Sequence, residues 1–172
     1  MHSSCYFDDQ IVSLQPTLNA LSSAALYGKG IFTTIAIHNG KPVLWEKHWT
    51  RLDDNAARLK IDLAGLTEQS TLSALTHVVE ANNVEDGRTR ITIFDRSSSS
   101  IWPFPSKGGP SLLITSSENR PRPKQLRLTF SPYPINSSSP LSGIKSWRSA
   151  ASTRSIRNFW TPPLRRRLHT PM

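Results

Sequence analysis

A glycine-bounded turn followed by a β-branched run constrains this chain more than any other feature. Residues 31–37 read Ile-Phe-Thr-Thr-Ile-Ala-Ile and directly follow the Gly-Lys-Gly of 28–30. β-Branched and aromatic residues favour extended strands, and closely spaced glycines allow a tight turn. The Asn-Gly pair at 39–40 is the pair that two-residue hairpin turns prefer. We therefore predict a turn, a strand and a hairpin that returns through 41–45.

Two stretches carry helical periodicity, because apolar residues recur three and four positions apart within 46–59 and within 66–82. The apolar faces comprise Trp49, Leu52, Ala56 and Leu59 in the first helix and Leu72, Leu75, Val78 and Val79 in the second. Further strands are predicted at 88–94, 110–115 and 125–130, with a short one around 11–14. The expected fold class is α+β, with a small N-terminal antiparallel sheet and two helices.

The positive charge is confined to the last third of the chain. Residues 1–118 hold 10 Lys and Arg against 12 Asp and Glu, whereas residues 119–172 hold 11 Lys and Arg and no acid. Such a tail could bind nucleic acid, since Trp147, Phe159 and Trp160 lie among its arginines and could stack on bases. The alternative is sequence that was never selected to fold, because no nucleic-acid-binding motif accompanies the charge.

Other classes are disfavoured by composition. No apolar run approaches the roughly 18 residues of a membrane-spanning helix, and no signal-peptide pattern opens the chain. The single cysteine, Cys5, excludes an internal disulfide framework and favours a cytoplasmic location. No residues stand at metal-ligand spacing, so no metal site is predicted.

Five basic residues are candidates for chemistry. Lys145 ends the stretch 136–145, in which serines and a proline precede Leu-Ser-Gly-Ile-Lys. A lysine enclosed in an apolar pocket loses its proton more easily, because desolvation disfavours the ammonium form, and a neutral amine can attack an aldehyde. Arg51 and His48 are placed at the start of the first long helix, where the helix dipole favours a phosphate. Arg88 and Arg90 share one face of a predicted strand, and face either solvent or a carboxylate.

The order of these features resembles the class IV aminotransferases, which are fold-type-IV enzymes that use pyridoxal 5'-phosphate. The matching pieces are the Tyr-Gly-x-Gly-x-Phe run at 27–32, Asn-Gly-Lys at 39–41, His-x-x-Arg-Leu at 48–52, the strand of Arg90, and Ser-Pro-Leu-Ser-Gly-Ile-Lys at 139–145. The match covers roughly residues 20–146. The group includes branched-chain and D-amino-acid aminotransferases and aminodeoxychorismate lyase.

The resemblance implies a role for each matching residue. Lys145 would form the Schiff base with the cofactor and move the proton, and Arg51 would bind the cofactor phosphate. Tyr27, Phe32 and Arg90 would line the substrate side, with Arg90 near the substrate carboxylate. The substrate would be a small amino acid or aminodeoxychorismate, and the protein a homodimer. Thr-Thr after the phenylalanine is more typical of the lyase than of transaminases, but transfer and pyruvate elimination both remain open.

The chain departs from the family pattern after Lys145. Trp-Arg-Ser-Ala stands at 147–150 where family members begin a helix, and no acid follows Glu118, so the glutamate that pairs with the pyridine nitrogen is missing. We expect a truncated or frameshifted member, and a partly folded inactive fragment is the plain alternative. The predicted domains are 1–117, an interdomain linker at 118–126, and 127–172 as the incomplete start of a larger α/β cofactor-binding domain with an aberrant tail from about 146.

Overall fold

The computed structural model describes residues 1–13, 16–97, 108–119, 125, 138–139 and 141–146. The strands are β1 Ser4–Phe7, β2 Gln10–Ser13, β3 Gly30–His38, β4 Lys41–Pro42, β5 Gly87–Asp95 and β6 Pro110–Glu118. The helices are α1 Ser23–Tyr27, α2 Trp45–Leu59 and α3 Glu68–Ala81. The predicted α+β class, built on an antiparallel sheet, is confirmed. None of the helices in these described segments is long and apolar enough to cross a membrane.

The six strands form one antiparallel sheet in the order β2-β1-β6-β5-β3-β4. Its centre is the long pairing of β5 with β3 on one side and β6 on the other. In that register Phe32 lies opposite Thr92, and Thr34 lies opposite Arg90. The alternation of side chains along β3 therefore decides which residues reach the site at its N-terminal end.

One face of the sheet is buried under α2 and α3. Ile31, Ile35, Ile91 and Ile93 are each 0% exposed and share a core with Leu52 of α2 and with Leu75 and Val78 of α3. Each such side chain contributes about 1.5–3 kcal/mol of burial free energy. The opposite face carries the exposed Arg88 and Arg90, as the alternation in β5 predicted, although Thr92 on that face is buried at 7% exposure. The buried face therefore forms the core of the scaffold.

Both long helices form close to their predicted bounds. A capping box closes the N-terminus of α3. The Thr67 side chain accepts a hydrogen bond from the Ser70 N–H, and the Ser70 side chain accepts one from the Thr67 N–H. The apolar faces are confirmed, with Trp49, Leu59 and Leu72 only partly buried at the edge of the core. Lys60 ends α2 in the left-handed region.

The strand predicted over 41–45 is wrong beyond its first two residues. The Asn-Gly turn forms with φ of 48° and 72°, but β4 then ends at Pro42. Leu44 adopts φ 56° and reverses the chain directly into α2, which begins at Trp45. The buried indole of Trp45 joins the helical core and stacks on Trp49, so packing against the helix overrides the extended preference of the segment.

Two elements were not predicted, and some predictions fall outside the described residues. The five-residue helix α1 has Ser22 as its N-cap and Gly28 as its left-handed C-cap, and β1 pairs with both β2 and β6. The predicted strand at 125–130, most of the linker and the basic tail lie outside the residues that the structure describes. The domain boundaries stay a prediction.

Candidate active site

The loop that carries Lys145, described at residues 138–139 and 141–146 and called the lysine loop below, is a compact turn. Within it the Ser142 N–H donates to the Ser139 carbonyl at 2.8 Å and the Ile144 N–H to the Leu141 carbonyl at 3.2 Å. Gly143 has φ 78°, a left-handed conformation that glycine adopts without the steric cost of a Cβ. Ile144 is 8% exposed and packs into the main core. The turn therefore anchors itself one residue before the lysine.

Lys145 lies against the beginning of β3. The Phe32 N–H donates to the Lys145 carbonyl at 3.0 Å, and an isolated antiparallel bridge joins Ile31 to Ser146. More than 110 positions of chain separate the two segments, so only the tertiary fold brings them together. The lysine and the Phe32 of the substrate-side motif are thus neighbours.

The enclosure predicted for Lys145 is wrong in the described structure. The residue is exposed, whereas Ile144 and Ser146 on either side of it are buried. Ile144 packs into the core and Ser146 is buried, while the lysine between them faces away from the core. The described segments therefore leave Lys145 exposed rather than enclosed in a dry pocket.

Arg51 lies well inside α2, beyond its first turn, so its predicted position at the helix terminus is wrong. The helix begins at Trp45 because Leu44 reverses the chain there. The free N–H groups of the first turn therefore lie too far toward the N-terminus to bind a phosphate directly together with Arg51. The exposed guanidinium instead lines a cavity of about 560 Å³ between α2 and the lysine loop. The lining residues are Lys47, Thr50, Arg51, Asp54, Asn55, Ala57, Arg58 and Gly143.

The cavity is lined by Arg51 and by one residue of the loop that carries Lys145. Gly143, two positions before Lys145, forms part of the same wall as Arg51. Lys47 and Arg58 add two further cations and Asp54 adds one carboxylate, so the lining carries an excess of positive charge. Guanidinium groups can bind phosphate through two parallel N–H bonds, and a cavity of this composition suits a phosphate anion.

His48 is a component of the site whose role the sequence did not reveal. Its Nδ1 lies 2.7 Å from the Thr33 hydroxyl, and Thr33 is fully buried in β3. Burial, the Arg51 guanidinium and the Lys145 ammonium, in that order, lower the pKa of His48. Arg51 and Lys145 are therefore close enough to act on the same imidazole. The His-x-x-Arg spacing in the sequence pointed to His48, but a helical pattern does not indicate which strand the histidine contacts.

Phe32 and Arg90 form one unit on the exposed face of the sheet. The Arg90 guanidinium carbon lies 3.8 Å above the centroid of the Phe32 ring, and partial burial lowers the pKa of the arginine. The predicted substrate-side pair is thus in contact, and Phe32 also bonds through its N–H to Lys145. Tyr27 lies half-buried at the end of α1, just before β3.

An ion pair supports the turn that leads into β3. Lys29 Nζ lies 2.7 Å from Asp95 Oδ2, and the Asp95 N–H donates to the Lys29 carbonyl at 3.1 Å. Burial raises the pKa of Asp95, but hydrogen bonds from Lys29 and Ser97 outweigh it and hold that pKa below its ordinary value. The pair fixes the first residues of β3, on which Phe32 and Thr33 depend. Among the residues that the structure describes, no three His, Cys, Asp or Glu side chains are grouped as metal ligands.

Several solved structures share the fold of this chain. The chain is similar to 4-amino-4-deoxychorismate lyase from Pseudomonas aeruginosa, at 20% identity and a TM-score of 0.67, over 92% of this chain and 57% of that one. A Legionella pneumophila protein proposed as a 4-amino-4-deoxychorismate lyase matches at 19% identity and a TM-score of 0.74, over 84% and 53%.

A branched-chain amino acid aminotransferase from T.th., solved with pyridoxamine 5'-phosphate, matches at 16% identity and a TM-score of 0.63, over 71% and 41%. This chain thus spans between 41% and 57% of the length of these three structures. No curated protein sequence matches it.

The sequence pattern of one family covers most of the chain. The family described as amino-transferase class IV matches residues 30–155, which include β3, the His-x-x-Arg segment of α2 and the lysine loop. The resemblance drawn from the spaced motifs is therefore confirmed. This chain belongs to the class IV aminotransferase family.

Proposed function

We propose that this chain supplies the lysine and phosphate side of a pyridoxal-phosphate site, for amino-group transfer or pyruvate elimination. The single observation that carries the proposal is that Arg51 and Gly143, which stands two positions before Lys145, line one cationic cavity. Arg51 would hold the cofactor phosphate and Lys145 its aldehyde carbon. The donor set fits, because a phosphate dianion needs N–H donors and positive charge and the aldehyde needs an accessible amine.

The protein residues divide the work between binding and proton transfer. When bound, the cofactor supplies an electron-withdrawing ring, which both reactions require. The exposed Lys145 amine would give or take a proton at the carbon next to the substrate amino group. Arg90, held over the Phe32 ring at 3.8 Å, offers its guanidinium to the substrate carboxylate. Burial and the neighbouring Arg51 and Lys145 lower the pKa of His48, which disfavours a third positive charge on the phosphate side.

The sequence of the strand favours the lyase branch of the family. Thr33 and Thr34 follow Phe32, whereas many transaminases have an acidic residue after that phenylalanine. The Thr33 hydroxyl is bonded to His48 inside the scaffold, so a carboxylate at this position would be buried beside the helix. Aminodeoxychorismate is accordingly the first substrate to test, and a small amino acid with a keto acid acceptor is the second.

Residues 119–172 contain no Asp or Glu, so they provide no carboxylate to pair with the pyridine nitrogen. We therefore propose for this chain the binding of the cofactor aldehyde, a step that needs no carboxylate. The homodimer that the family resemblance implies, and the cytoplasmic location that the single cysteine favours, belong to the same proposal.

Covalent trapping tests the proposal without requiring turnover. The chain is incubated with pyridoxal 5'-phosphate, reduced with borohydride and mapped by peptide mass spectrometry. The modified peptide is expected to contain Lys145, and Lys145→Ala should abolish that modification. Lys41→Ala, an exposed lysine in the distant hairpin, is the matched control and should label like the wild type.

The role of Arg51 is tested by comparing two aldehydes. Pyridoxal lacks the phosphate, so Arg51→Gln should weaken labelling by pyridoxal 5'-phosphate and leave labelling by pyridoxal nearly unchanged. The loss of a hydrogen-bonded charge pair corresponds to about 1.5–3 kcal/mol, or roughly 10- to 150-fold in affinity. Equal labelling of several exposed lysines, with no preference for Lys145, would refute the proposed site.

A further inference from the structure

Arg58 reaches from the last turns of α2 to the loop that carries Lys145. Its Nη2 donates to the Ser142 carbonyl at 2.9 Å. The Nη1 of the same guanidinium lies 3.9 Å from where a Cβ on Gly143 would be, so the backbone of the loop runs beside the end of the Arg58 side chain. Gly143 itself is in the left-handed conformation, with a φ of 78°.

The described contacts hold the loop at four points, and among them only Arg58 acts from the exposed side of α2. The Ile144 side chain is 8% exposed and packs into the shared core. The Phe32 N–H donates to the Lys145 carbonyl at 3.0 Å, and an antiparallel bridge joins Ile31 to Ser146. These last two contacts tie the loop to β3, whereas Arg58 ties it to the helix of Arg51.

Arg51 and Arg58 lie on the same side of α2 and line the same cavity. Seven residues are two helical turns, so the two guanidinium groups originate roughly 10 Å apart along the helix axis. A ligand bound by both Arg51 and Lys145 requires a fixed distance between helix and loop. If the loop were free to move away from α2, a ligand bound to Lys145 would lose its contact with Arg51. The advantage of binding at two points would then be lost.

We propose that Arg58 is a positioning residue that clamps the lysine loop onto α2 and thereby makes the site selective for aldehydes that carry a phosphate. The selectivity rests on the proposed function, in which Arg51 holds the phosphate and Lys145 takes the aldehyde. The clamp itself does not depend on that function, because it is a contact within the chain.

Hydrogen exchange tests the clamp on the chain without any ligand. Arg58→Met keeps the length of the side chain and removes every donor, and it should speed exchange of the Ser142 and Ile144 amides roughly tenfold, the effect of a 1.4 kcal/mol loss of local stability. Amides at the centre of β5 should be unaffected, which shows that the fold is intact. Arg88→Met, on the exposed sheet face, is the control and should leave the loop unchanged.

Labelling tests the consequence for selectivity. The measured quantity is the ratio of Lys145 labelling by pyridoxal 5'-phosphate to labelling by pyridoxal, after borohydride reduction. Arg58→Met should lower this ratio about tenfold, and Arg58→Lys, which keeps a charge and one donor, should restore part of it. Arg51→Gln should lower the ratio and leave loop exchange unchanged, which separates phosphate binding from positioning.

Two outcomes would overturn the inference. Unchanged loop exchange in Arg58→Met would show that the bond to Ser142 does not hold the loop. Faster exchange with an unchanged labelling ratio would show that the clamp has no bearing on selectivity. If the wild-type chain does not label at Lys145, the proposed function fails and the selectivity fails with it, while the exchange measurement still decides whether the clamp exists.

Discussion

The bond between Thr33 and His48 allows a quantitative test of how α2 is registered on the sheet. Thr33→Val replaces the hydroxyl by a methyl group of similar size in a fully buried position, so the bond of 2.7 Å is lost without a cavity. The new methyl group gains burial energy, and this gain masks part of the loss in the single variant. A double-mutant cycle with His48→Leu removes the masking, because the burial term occurs in both arms.

The expected coupling is about 1 kcal/mol. A neutral hydrogen bond contributes roughly 0.5–1.5 kcal/mol net, and the half-buried His48 ring keeps partial access to water, which argues against a larger value. Coupling of this size changes the ratio of folded to unfolded chain about fivefold. The sign should be stabilising in the wild type, and Thr33→Ser, which keeps the hydroxyl, should keep most of the coupling.

Urea denaturation followed by far-ultraviolet circular dichroism measures the four unfolding free energies at pH 7.5, where His48 is neutral because its pKa is lowered. A coupling below about 0.3 kcal/mol, the usual error of additivity, would show that this bond does not hold helix and strand together. A destabilising coupling would refute the geometry of the contact itself.

Three further predictions concern pH and the backbone. Because the pKa of His48 is lowered on folding, the unfolded chain binds the proton more readily, so stability should fall as the pH drops below about 6.5, and His48→Leu should flatten this part of a urea-midpoint profile. Asp95→Asn should lower the free energy of unfolding by roughly 1–3 kcal/mol at pH 7, measured by thermal denaturation. Because the pKa of Asp95 is lowered on folding, this difference from the wild type should disappear as the pH falls below the ordinary aspartate pKa and then through the pKa of the folded state. Gly143→Ala should destabilise the lysine loop by about 1–2 kcal/mol through its φ of 78°, seen as faster loop amide exchange, whereas unchanged exchange would contradict the strain argument.

Local patterns predicted most of the scaffold because each depends on near neighbours. The Asn-Gly turn forms wherever a two-residue hairpin needs positive φ at both positions, and the apolar stripe of α2 follows from 3.6 residues per turn. The same stretch also shows the limit of such patterns. Leu44 ends the extended segment after β4 with a positive φ, which a leucine does not predict. Trp45 joins the helix because its ring is buried there.

The sequence by itself determined the α+β class, the long helices and the identity of the basic residues at issue. Tertiary structure alone decided that Lys145 is exposed and that His48 meets Thr33. Those outcomes depend on which face of α2 meets β3 and on where a loop some 110 residues later returns to the same strand. Spacing along a chain carries no information on contacts of that range, because they are set by how the apolar faces of helix, strand and loop fill one shared core.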